Sequence, residues 1–304
     1  MIRNHGKASR GSWLLLCGLV LCLGGRAQEQ EEDASRRFWP PSFRPAPAGG
    51  AATPSKPARY KHATPMTPGA TSAATVGVTV WQLRPAKPSD EARILGKKSA
   101  KTESWAAARV EADAPFKEGS MLRLSIEVPR KGYLYVIDRE QYADGTLSDP
   151  YLIFPANPAG QEHRVSPGRV VEIPNQSDEQ AYFEVKSLGG AARAQQVAEV
   201  LTLLITPAPL TGLPARSASA DAPLPLSAAL VEKWERDWGA RVERLELEGG
   251  AGRPYTRAEQ AAGRNAAGRM TQGDPLPQTI LRLTSGPGQP LLVTLPLKIE
   301  KESR

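Results

Sequence analysis

Asp138, Asp144 and Asp149 lie close together in the stretch Asp138-Arg-Glu-Gln-Tyr-Ala-Asp-Gly-Thr-Leu-Ser-Asp149. Carboxylates gathered on one loop can hold calcium, which takes about six to eight oxygen ligands. The spacing is not that of an EF-hand loop, and no bidentate glutamate closes it. A long hairpin connection with a tight turn at Asp144-Gly145 accounts for the same residues, because both types favour turns. That reading is preferred, and no metal is assigned. Tyr142 belongs to the same stretch, so Tyr142, Asp144 and Asp149 form a candidate interaction loop. Tyr133 and Tyr135 share one face of a strand and form a candidate aromatic face, either a stacking platform for a ligand or a cover over a second layer.

The sequence offers little other chemistry. Beyond the first residues its histidines are His62 and His163, and no HExxH, GxSxG, SxxK, Walker A or Rossmann glycine pattern occurs. Gly96-Lys-Lys-Ser99 lacks the upstream glycine of a phosphate loop and reads as a surface turn. His163, among Gln161, Glu162 and Arg164, reads as an exposed loop residue. Asn175-Gln-Ser177 fits a bare glycosylation sequon and carries no weight. No catalytic, cofactor-binding or metal-ligating residue is assigned, and the chain is expected not to be an enzyme.

Residues 1–27 read as a secretory signal. Arg3, Lys7 and Arg10 precede an apolar run from Leu14 to Leu23, and Gly25-Arg26-Ala27 supplies small residues for cleavage. The run is shorter than the roughly 20 residues that span a bilayer. An uncleaved anchor or a lipoprotein is the competing reading. Cys17 and Cys22 both lie in this run, so the mature chain has no disulfide and no thiolate chemistry. Of the 39 Lys and Arg, Arg3, Lys7, Arg10 and Arg26 leave with the signal, so 35 face 32 acidic residues in the remainder. Without a basic stripe interleaved with aromatics, nucleic acid is not an expected partner.

Residues 28–75 are rich in proline and alanine and hold too little apolar area to offset their ordering entropy, so they are expected to form a disordered leader. The Phe38–Phe43 island within it could be a docking peptide, but a linker is the preferred reading. From Val76 to Thr206 short alternating strands follow one another, as at Leu122, Leu124, Ile126 and Val128, with Arg123, Ser125 and Glu127 on a solvated face. Gly132–Ile137 is expected to pair beside 122–128 as the adjacent antiparallel strand. Residues 207–225 form a Pro/Ser/Ala-rich bridge. Leu230, Trp234, Trp238, Val242 and Leu245 then recur as a helical stripe, and Thr256-Arg-Ala-Glu259 is a capping box. Thr279–Thr284 and Leu291–Ile299 are expected to pair about a turn at 285–288, with Pro296 on a sheet edge. The fold expected is mainly β: an Ig-like antiparallel sandwich with the C-terminal helix and hairpin packed on it, so that 226–304 and the core 76–206 make one composite domain.

The run Gly119–Asp138, then Asp144-Gly145, Leu152-Ile-Phe-Pro155 and Gly168-Arg-Val-Val-Glu-Ile-Pro174 resembles the bacterial domain-of-unknown-function family numbered four-three-eight-four. The likeness covers roughly residues 76–206. It implies an extracytoplasmic β-sandwich of the bacterial envelope and carries no catalytic residues. The reading is an exported binding module, in periplasm or secreted, whose partner is an unknown envelope protein or glycan. A carbohydrate- or cell-wall-binding sandwich and a hydrolase using only carboxylates are the alternatives. The first prediction follows from the signal: expressed in a bacterial host, the mature chain begins at Gln28 outside the cytoplasm, and N-terminal sequencing that returns Met1 in a membrane-embedded form refutes it.

Overall fold

The computed structural model describes residues 59–62, 74–98, 101–160, 162–176, 178, 181–185, 196–214, 223–264, 270, 274–286 and 288–300. The signal, the Phe38–Phe43 island, Ser99 and Ser177 lie outside them. The chain enters a first sheet through β1 (Tyr60–His62), β2 (Ala74–Pro85), β3 (Ile94–Lys98), β4 (Lys101–Val110) and β5 (Met121–Glu127). It crosses to a second sheet for β6 (Gly132–Tyr142), β7 (Tyr151–Phe154) and β8 (Arg164–Val165), and returns for β9 (Val170–Ile173) and β10 (Phe183–Glu184). β11 (Gln196–Thr206) and β12 (Leu224–Pro225) belong again to the second sheet, followed by helix α1 (Ala228–Trp238). β13 (Val242–Leu247) rejoins the first sheet, α2 (Arg257–Arg264) follows, β14 (Thr279–Leu283) lies in the first sheet and β15 (Leu291–Lys298) ends in the second. All strand pairings are antiparallel. No helix among the described residues is long and apolar enough to cross a membrane.

β2 organises the first sheet. Gly77 and Val78 pair with both β14 and β5, and Val80–Gln82 with both β4 and β5. Hence β5 runs along one edge of β2, while β14 and β4 follow one another along the other. β9 and β10 line the far edge of β5. In the second sheet the order is β12-β7-β6-β11-β15, with β8 beside the start of β6. β15 pairs only with β11 and so lies at the edge, where Pro296 has no second ladder to interrupt.

The period of two decides what is buried. Val76, Val78 and Val80 of β2 and Leu124 and Ile126 of β5 meet Leu134, Val136, Leu203, Ile205, Val293 and Leu295 in one core between the sheets. A Leu or Val buried in this way contributes about 1.5–3 kcal/mol relative to leaving it in water. The alternate residues of the second sheet, Tyr135, Ile137, Leu204 and Leu292, pack outward against Val231 and Trp234 of α1. Trp238 is partly buried and stacks on Trp234 at 6.0 Å. Gly239 ends the helix with its N–H on the Glu235 carbonyl, where a Cβ would collide with that oxygen, and it bridges to Leu292.

Several expectations are corrected. β5 and β6 do not pair with each other but lie in different sheets. Each finds a longer match elsewhere, β5 with Gly77–Gln82 and β6 with Gln196–Thr206, and Pro129-Arg-Lys131 between them offers no residue suited to a two-residue hairpin turn. For the same reason β14 and β15 diverge into opposite sheets instead of forming a hairpin. Tyr60–His62, assigned to the leader, pairs with Leu245–Leu247, and the Tyr60 hydroxyl donates to the Pro277 carbonyl at 2.8 Å. β2 begins at Ala74 rather than Val76, Gly96–Lys98 form the end of a strand paired with β4 rather than a turn, and Val242 and Leu245, read into the helical stripe, lie in β13 beyond the helix end at Trp238. The face of β5 expected to be solvated is covered: Arg123 is 1% exposed and Glu127 is buried. The side chain of Trp234 fills the layer between α1 and the second sheet, so Trp234→Ala is expected to cost roughly 3–5 kcal/mol. Denaturant unfolding checks this, and a loss below about 1 kcal/mol contradicts the packing described.

Candidate functional site

Where the two sheets end side by side, β7 and β8 of one and β9 and β10 of the other leave a cavity of about 260 Å³. Its apolar wall comes from Phe154, Val165, Val171, Ile173 and Phe183, residues continuous with the core. Glu162, Arg164, Arg169, Glu172 and Asp178 supply its charged part. Two of the three carboxylates, Glu162 and Asp178, are engaged in loop structure. Glu162 accepts the Asn157 N–H at 2.8 Å, and Asp178 accepts the Asn175 N–H at 2.7 Å. Arg164 lies over the Tyr133 ring, 5.9 Å from its centre. The Nε of Arg169 is buried and has no hydrogen-bond partner.

A buried polar network holds one wall from behind. Arg123 donates to Glu172 of β9 at 2.9 Å and to the Ala181 carbonyl at 2.6 Å. The same carboxylate accepts from Tyr255 and from Gln176, the latter at 2.6 Å. Burial, followed by the Glu172 charge, pushes the Tyr255 phenol far above its ordinary value, so it stays protonated and donates. Arg109 pairs with Glu259, which also closes the capping box by accepting the Thr256 N–H at 2.8 Å. Arg109 lies 5.2 Å from the centre of the Trp81 ring, which meets the Tyr255 ring in a T-shaped contact at 4.9 Å. α2 can reach β9 only because residue 263 is glycine, since a Cβ there would collide with the Glu172 carboxyl.

The residues singled out in the sequence fall into two places. Tyr135 is 1% exposed beneath α1, with its hydroxyl accepting the Leu210 N–H at 2.9 Å; Tyr133 is half-buried. Both rings flank His163, at 5.3 and 5.1 Å, so the aromatic face is a packed layer. His163 itself is 1% exposed, not an open loop residue, because those two rings and the strand behind them enclose it. Both its ring nitrogens lack partners, and burial holds it below its ordinary pKa.

In the loop, Asp144 accepts Thr146 N–H and hydroxyl bonds at 2.9 and 2.7 Å, with Gly145 at φ +86°, which is the tight turn expected. Asp149 is exposed, and the Tyr142 hydroxyl donates to Glu140 at 2.6 Å. Leu147 and Tyr151 stand 40% and 42% exposed on the same excursion. Asp138 turns away from Asp144 and Asp149 into the strand pairing. There its carboxyl lies near that of Glu199, the residue opposite Glu140. No trio of acidic, His or Cys side chains among the described residues is arranged to hold a metal.

Arg169 and Phe183 were not picked out from the sequence. The signal was present in two of the segments that carry the resemblance, which end at Pro155 and Pro174 and supply Phe154, Arg169, Val171 and Ile173 of the cleft. Residues 115–198 match the family model described as Domain of unknown function (DUF4384), a span that includes every strand lining the cleft. No curated protein and no solved structure matches the chain.

Burial raises Asp138 to about 6, and burial together with the Asp138 charge raises Glu199 to about 8. Both lie above their unfolded values near 4. The stability that this pair confers is therefore fully present below about pH 4 and is lost as pH rises through 6 to 8. His163, held low, works in the opposite sense: its contribution is present above about pH 6.5 and is lost as pH falls. Glu199→Gln is expected to remove most of the first slope and leave the second. Unfolding midpoints measured from pH 4 to 9 check this, and parallel curves for wild type and variant contradict it.

Proposed function

We propose that this chain is an exported, non-enzymatic binding module of the bacterial envelope that holds its ligand in the cleft between the open sheet edges. The observation carrying this reading is the cleft itself, an opening onto apolar core residues with charged side chains beside it, set in the segment that matches the family model. Concave apolar sites with a few polar groups are the usual form of ligand pockets. Export rests on the apolar, positively preceded N-terminal run.

Two features favour binding over hydrolysis and over sugar stacking. The carboxylates that line the cleft are already engaged, Glu162 and Asp178 by backbone N–H groups and Glu172 by Arg123, whereas a glycosidase needs two carboxyls about 5–9.5 Å apart with the scissile bond between them. Tyr133 and Tyr135 are packed against His163, which leaves neither ring as an open platform for a sugar. An envelope protein is the partner that fits best.

The test places a photocrosslinking residue at Asp178 beside the cleft and, separately, at the exposed Leu95 of β3. The expected result is an envelope adduct from position 178 but not from 95, lost when Val171→Trp fills the cavity. Equal adducts from both positions, or a chain retained in the cytoplasm, would overturn the proposal.

A further inference from the structure

The cleft has an uneven distribution of charge. Glu162 and Asp178 each hold a backbone N–H, and Glu172 is neutralised by Arg123. Arg164 rests against an aromatic ring. The Arg169 guanidinium has no counter-ion among the described residues, and its Nε is out of contact with solvent without a partner. Arg169 is half-buried and lines the cavity, so the outer donors of its guanidinium, not the enclosed Nε, are what an arriving acceptor would meet. The fork geometry of a guanidinium suits a carboxylate, which it can engage through two parallel hydrogen bonds.

Beside this cation the wall is apolar: Val165, Val171, Ile173 and Phe183. The volume, about 260 Å³, lies just under the roughly 300–1,000 Å³ of sites for whole drug-sized ligands. It therefore suits one end of a larger molecule. We infer that the cleft recognises an apolar group ending in a carboxylate, with the apolar part against Val171, Ile173 and Phe183 and the carboxylate on Arg169. This deepens the binding reading above and rests on it. Two sources share the chemistry: the C-terminus of a partner polypeptide ending in an apolar residue, and a free fatty acid.

Titration of the full chain with four probes separates these cases, followed by methyl NMR of Val165, Val171 and Ile173. The probes are octanoate, octanol, an acetylated Ala-Ala-Leu peptide with a free carboxylate, and its C-terminal amide. At least one acid is expected to shift the cleft methyls and to bind roughly tenfold more tightly than its neutral partner, the scale of one charge-assisted pair. Whichever acid binds identifies the source. Arg169→Gln is expected to abolish that difference, and Arg169→Lys, which keeps the charge, to restore part of it. Unshifted methyls outside the cleft show that each variant is folded. Equal binding of acid and neutral probes would overturn the carboxylate assignment while leaving the cleft a binding site. Silence from all four probes, with the position-178 adduct still formed, would overturn this inference alone; loss of that adduct as well would overturn the binding reading.

Discussion

Arg123 is the charge on which the part of the molecule around the cleft depends. Taking a guanidinium out of water is repaid only when its donors are met, and removing one partner of such a pair typically costs about 3–5 kcal/mol. Arg123 is met by Glu172 and the Ala181 carbonyl, and Glu172 is shared with Tyr255 and Gln176. These residues come from β5, β9 and the segments before β10 and α2, so one buried charge ties four separate stretches of chain. β9 is also a wall of the cleft. The position of Val171 and Ile173 is thereby set from both sides, by apolar packing on the inner face and by an ion pair on the outer one.

The second sheet shows the same economy with the chemistry reversed. Its inner residues join the sandwich core, and its outer residues receive Trp234 and Val231. Toward the far end of β6 and β11 the inner face changes from Leu and Val to Asp138, Glu140 and Glu199. Alternation is preserved while the side chains become ionisable. Burial makes Asp138 and Glu199 keep their protons to higher pH than exposed carboxyls do, where a Leu pair would have held only hydrocarbon. The two ends of the ladder therefore respond differently to pH.

Much of the fold was legible in the sequence, and most of what was missed concerned pairing. The alternation at Leu122–Val128 and Leu291–Ile299 identifies strands and their buried faces, and Pro296 correctly marks an edge. Alternation does not name a partner, because every strand with this period presents the same apolar edge-on pattern. Local pairing was therefore assumed for β5 with β6 and for β14 with β15, and both assumptions failed. β3 and β4 were missed because Lys, Glu and Ala dominate them, and their burial comes from Trp105 meeting Ile94 and Tyr182. Arg123 read as solvated because Glu172, which pairs with it, and Tyr255, which shares that carboxylate, are remote in sequence. The cleft was invisible for the same reason, since its walls belong to different sheets.

The placement of β14 and β15 bears on how the chain acquires its structure. Val78 lies beside Thr279, and Leu203 lies beside Val293. Both sheets thus take in strands that follow α2, and neither can be completed by residues 59–264 alone. Contacts this distant in sequence slow folding, because the loop must be closed before its burial is gained. A chain threaded from its N-terminus through a narrow channel could complete neither sheet until β14 and β15 had emerged on the far side.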